Sequence, residues 1–110
     1  VSNAIYAGSK GALVSLTKTA AQQLGKYNIN VNSICPAPTY TDIVKKLIDT
    51  RALEQNKSQN EILKYYMRDV PLGRFNEPAD IAEMALFLSL ESSKNISGQS
   101  FNVDGGLIPS

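Results

Sequence analysis

Leu13, Leu16, Ala20 and Leu24 recur at helical spacing and predict a helix over about residues 4–26, with Asn3 as its N-cap. Asn28 is placed to stop that helix, because asparagine tolerates the left-handed conformation in which many helices end. The period then changes. Ile29 and Val31 alternate with Asn30 and Asn32, and Ile34-Cys35-Pro36 follows, which predicts a strand over 29–35 entering a proline-bounded loop. Beyond the loop, Ile43, Val44, Leu47 and Ile48 predict a short helix, followed by a polar interval over about 49–60. Ser58-Gln59-Asn60-Glu61 has the form of a capping box ahead of Ile62, Leu63, Tyr66 and Met67. Residues 42–70 are therefore expected to form two short amphipathic helices with a polar joint around Asn56-Lys57-Ser58. Pro78 suits the first turn of a further helix carrying Ile81, Met84, Ala85 and Leu88 on one face. Gly98 marks a turn, 99–103 reads as a short strand, and Asp104-Gly105-Gly106 ends it.

This order of helix, strand, helices, helix and strand is that of one half of a parallel α/β sheet. Such a sheet is covered by helices on both faces, and further strands would lie beside 29–35. At 110 residues the chain is the size of one small domain with a limited core. The net charge of +1 is spread along the chain, which leaves no basic stripe for nucleic acid. Cys35 is the only cysteine, so no internal disulfide can form, and a small buried hydrophobe is its simplest role. The lack of histidine excludes histidine-based triads and histidine metal ligands, and no metal site is expected. Apolar runs fall far short of the roughly 18 residues of a membrane span, so no membrane partner and a cytoplasmic location are expected. The chain opens at Val1 without methionine, and its most reactive-looking residue stands almost at that end; a fragment is therefore expected.

That residue is Tyr6, in the run Ile5-Tyr6-Ala7-Gly8-Ser9-Lys10. A spacing of four on a helix puts Tyr6 and Lys10 on one face. An ammonium beside a phenol favours the phenolate, so the two can work as an acid–base unit.

The pair is followed by an Ala/Leu-rich helix, then Asn30-Val31-Asn32-Ser33-Ile34-Cys35-Pro36, Pro71-Leu72-Gly73-Arg74-Phe75-Asn76-Glu77-Pro78 and Ser97-Gly98-Gln99-Ser100-Phe101-Asn102-Val103-Asp104-Gly105-Gly106. In order and separation these segments resemble the C-terminal half of a short-chain dehydrogenase/reductase, over nearly the whole chain. The resemblance implies an α/β fold, the C-terminal portion of a Rossmann-like doubly wound parallel sheet that binds NAD or NADP. It implies an oxidoreductase that transfers hydride between the cofactor and a carbonyl or secondary alcohol, such as a 3-oxoacyl thioester, a sugar or a polyol. Tyr6 would be the acid–base residue, and Lys10 would hold the nicotinamide ribose and favour the Tyr6 phenolate. Pro36 matches the proline of a cofactor loop, Thr39 lies at its carboxamide-contacting position, and Thr41 matches its hydroxyl. Ala37 stands where glycine is expected, which is costly only if that position needs positive φ. Pro38 pushes Ala37 toward an extended conformation and removes an N–H.

The family's catalytic serine and asparagine, and the glycine-rich turn that cradles the pyrophosphate, would lie upstream of Val1. Ser2 and Ser9 cannot take the serine's role by spacing. Residues 42–70 would be the substrate lid. A homo-oligomer, dimer or tetramer, is expected of the complete protein, because the helices at 4–26 and after Pro78 should carry more apolar surface than this domain can cover. The alternative is a non-catalytic remnant that serves only in assembly.

Overall fold

The computed structural model describes residues 4–108. Asn3, expected as the first cap, and Ser2 lie outside the described residues. The chain divides into two compact units, Val1–Cys35 with Met84–Phe101 and Pro36–Glu83 with Asn102–Ser110. The division crosses both strands, β1 (Ser33–Pro36) and β2 (Ser100–Val103), which pair in a two-stranded sheet. No helix among the described residues is long and apolar enough to cross a membrane.

In the first unit, α1 spans Ala4–Leu24 and tightens into a 3-10 turn at Gly25–Tyr27. Asn28 ends it in the left-handed conformation, with φ 60° and its N–H on the Gly25 carbonyl. Thr17 is the buried residue of α1 and satisfies its hydroxyl on the Leu13 carbonyl at 2.8 Å. Leu13 and Leu16 stay exposed on α1, as do Leu86 and Phe87 on the later helix α4 (Pro78–Ser89).

The strand expected over 29–35 is shorter and shifted, and the cause is side-chain chemistry. Asn30 Nδ2 donates to the carbonyls of Lys94 at 2.8 Å and Ile96 at 3.1 Å. Asn32 donates to Ile96 O and accepts from Gln99 N–H. Val31 donates its N–H to Ser97 Oγ and accepts from Gly98 N–H. These amides occupy the backbone groups that a ladder would use, so pairing begins only where Ser33 N–H meets Gln99 O at 2.9 Å. Gly98 sits at φ +74°, which favours glycine, and a Cβ there would also stand close to that of Ala21, at 3.3 Å.

In the second unit, α2 (Asp42–Gln55) and α3 (Gln59–Met67) pack on each other. Their core is Ile48, Ala52 and Ile62, with Val44, Leu63, Tyr66 and Phe75 packed against it. The polar interval expected over 49–60 is corrected by this packing. Helix α2 continues through Gln55, because Ile48 and Ala52, one turn apart, bury a stripe against α3 while Asp49, Arg51 and Leu53 face outward. The joint is only Asn56-Lys57-Ser58, in which Asn56 is left-handed and Ser58 caps α3 by accepting from Glu61 N–H at 3.2 Å. Strand β2 ends where Asp104 folds back, its carboxylate accepting from the N–H groups of Gly106 and Ile108. At Gly105, φ is +62° and a Cβ would stand 2.7 Å from Val70 Cγ1, so only glycine fits without displacement.

Candidate active site

The α1 helix carries Tyr6 and Lys10 on one face, as their spacing requires. Lys10 Nζ stands 5.3 Å from the centroid of the Tyr6 ring, within the range of a cation–π contact. Tyr6 is 62% exposed. Ser9 donates its hydroxyl to the Tyr6 carbonyl at 2.8 Å, within its own helix.

The second group of expected site residues lies in the loop between β1 and α2. Pro36 closes β1 at the surface, and Ala37 N–H continues the pairing onto Val103 O at 3.0 Å. Asn28 and Asn56 are the non-glycine residues with positive φ among those described, so Ala37 occupies the glycine position without backbone strain. Pro38 contributes its carbonyl, which accepts from Asn76 N–H at 3.1 Å, and Tyr40 N–H returns to Asn76 O at 2.7 Å. The two bonds make an isolated parallel bridge between Thr39 and Asn76. In a parallel bridge of this kind the flanking groups of one residue bond the other, so Thr39's own N–H points away from Asn76. That N–H makes no hydrogen bond among the described residues, while the Thr39 hydroxyl donates to Ala37 O at 3.0 Å.

Thr41 is the N-cap of α2: its hydroxyl oxygen accepts from Val44 N–H at 3.4 Å, and its carbonyl accepts from Lys45 N–H. Accepting leaves the hydroxyl proton available for donation. The Tyr40 ring is held between Phe75, at 5.7 Å between centroids, and Lys45 Nζ, at 5.1 Å. The loop thus presents one backbone donor at Thr39 and one hydroxyl donor at Thr41, which suits an amide oxygen and a phosphate. Tyr6 with Lys10 belongs to the first unit and residues 36–41 to the second.

Sequence reasoning missed Asn76. It is buried, and its Nδ2 donates to Val103 O, the carbonyl that also accepts Ala37 N–H. The only signal was its place in the Pro71–Pro78 run, where nothing local announces a partner on β2. A partly open cleft of about 250 Å³ also lies along the helix pair, with Arg51, Lys57, Glu61, Ile62 and Tyr65 among its lining residues.

The sequence model of a family described as enoyl-(acyl carrier protein) reductase matches residues 1–108. The chain is 36% identical to 3-oxoacyl-(acyl-carrier-protein) reductase FabG of Thermotoga maritima over 94% of its own length and 37% of that protein's. Among solved structures, a short chain dehydrogenase family protein from Francisella tularensis matches with 38% identity and a TM-score of 0.86, over 93% of this chain and 42% of that one. L-Sorbose reductase from Gluconobacter frateurii, complexed with NADPH and L-sorbose, matches with 28% identity and a TM-score of 0.91, over 98% of this chain and 41% of that one. The chain therefore spans about two fifths of the length of these relatives, and its fold is the C-terminal portion of a Rossmann-like doubly wound parallel sheet. Motif order, fold and relatives agree: the chain belongs to the short-chain dehydrogenase/reductase family.

Proposed function

We propose that these residues are the C-terminal half of an NAD(P)-binding domain in an oxidoreductase acting on a carbonyl or secondary alcohol. The observation that carries this reading is the Tyr6–Lys10 pair, an exposed phenol with an ammonium 5.3 Å from its ring on one helix face. When bound, the nicotinamide cofactor supplies or accepts the hydride. Tyr6 gives its proton to the carbonyl oxygen in reduction, or takes the proton of the alcohol in oxidation. Lys10 holds the ribose hydroxyls and stabilises negative charge that develops on the phenol oxygen.

In the loop, Thr39 N–H holds the carboxamide and Thr41 Oγ1 donates to phosphate. Pro36 closes β1 and Ala37, which avoids positive φ, carries the chain from the strand to Thr39. The names of the relatives favour 3-oxoacyl thioesters and ketoses or polyols as substrate classes, with NADPH or NADH as partner. Residues 42–70 close over the substrate. The full-length protein should bind one of the two reduced dinucleotides saturably and oxidise it in the presence of a 3-oxoacyl thioester or a ketose. Failure to bind either would contradict the reading.

A further inference from the structure

Asn76 joins two segments of the second unit, engaging the loop through its backbone and the end of β2 through its side chain. Its backbone N–H and C=O hold Pro38 and Tyr40 of the loop at 3.1 and 2.7 Å, and its side-chain amide reaches Val103 at the end of β2. Next to it, Phe75 packs against the Ile48, Ala52 and Ile62 core of the α2–α3 pair.

The arrangement answers a shortage of donors. Ala37 N–H is the last bond from the loop to β2, because that strand ends at Val103 and the chain folds back at Asp104, while Pro36 and Pro38, whose missing N–H groups would face away from β2, leave the other edge of the loop short of donors. Past that point β2 turns away, and the Gly105 carbonyl is taken by Leu72 N–H at 3.1 Å. Asn76 Nδ2 supplies a second bond to the Val103 carbonyl already used by Ala37. The loop is thereby braced on both sides, and its register on Asn76 decides where Thr39 N–H points.

We propose that Asn76 is a positioning residue for the nicotinamide end of the cofactor: its buried side-chain amide locks residues 38–40 so that Thr39 N–H stays unbonded and aimed away from the bridge. This inference rests on the proposed function and extends it to a residue that touches no cofactor. Aspartate keeps the shape of asparagine but cannot donate to Val103 O, and alanine removes the group altogether.

The test uses the full-length protein, Asn76→Ala and Asn76→Asp, and two probes: the reduced dinucleotide that the wild type binds, and the matching ADP-ribose (2′-phosphorylated if that dinucleotide is NADPH), which lacks nicotinamide. Both variants should raise the dinucleotide Kd by about tenfold while changing the ADP-ribose Kd by less than about twofold. Equal weakening for both probes would reduce Asn76 to general structural support, and no weakening would refute its role; either result overturns the inference while the functional reading stands. Wild-type protein that binds neither dinucleotide overturns both. Should the variants fail to fold, amide hydrogen exchange on the unmutated protein decides. Without ligand, Tyr40 and Asn76 amides should exchange slowly and the Thr39 amide fast, with Thr39 protected by dinucleotide and not by ADP-ribose. A Thr39 amide that is slow without ligand, or protected equally by both probes, overturns the proposal.

Discussion

The hydroxyl of Thr41 accepts the N–H of Val44 at 3.4 Å, so the residue expected to meet the cofactor is also the cap that starts α2. The two tasks are compatible, because a capping hydroxyl uses a lone pair and keeps its proton for another acceptor. Thr41→Ala should cost about 0.5–1 kcal/mol, the lower part of the range for a lost N-cap given the long bond. It should also weaken dinucleotide binding. Thr41→Ser should restore both, and urea denaturation with cofactor titration on the full-length protein would check them together.

The α2–α3 pair rests on a small core, with Ile48 3% and Ile62 4% exposed. Ile62→Ala should destabilise it by about 2–4 kcal/mol through lost burial and an unfilled cavity. Hydrogen exchange should show the loss first in the amides of α2 and α3, because α1 packs in the other unit. Uniform acceleration over the whole chain would contradict independent packing of the α2–α3 pair.

Gly105→Ala meets two penalties at one position: a positive φ of 62° and a Cβ 2.7 Å from Val70 Cγ1. A loss of about 1–3 kcal/mol is expected. The combination with Val70→Ala should recover part of it by removing the clashing methyl, and thermal melts of the single and double variants would show whether it does.

Leu13 and Leu16 on α1 and Leu86 and Phe87 on α4 leave apolar area open on both helices. The intact protein is expected to be a dimer or tetramer, because such faces are unstable in water unless covered. A stable monomer in sedimentation at micromolar concentration would contradict this.

Much of this was legible in the sequence wherever local chemistry decided the outcome. Asn28 stops α1, Ser58 caps α3 and Pro78 opens α4, each through groups within a turn of itself. The i, i+4 relation of Tyr6 and Lys10 is likewise a property of any helix. What depended on distant partners was not legible. Asn30 and Asn32 look like the polar half of an alternating strand, yet their amides bond backbone more than sixty residues away and delay the ladder to Ser33. Asn76 reads as a loop asparagine until Val103 is placed beside it. The stretch from Asp49 to Gln55 reads as a joint because most of it is polar and exposed, and the buried stripe that carries α2 through it is only Ile48 and Ala52.

Tyr6→Phe replaces the proposed proton carrier, the Tyr6 hydroxyl, by hydrogen and leaves the ring in place. Pre-steady-state hydride transfer in the full-length protein carrying Tyr6→Phe should fall by at least about 10²-fold, the lower bound for a lost general acid–base group, with the dinucleotide Kd largely unchanged. Lys10→Ala, by contrast, should impair both. Near-normal hydride transfer by Tyr6→Phe would exclude Tyr6 as the acid–base residue.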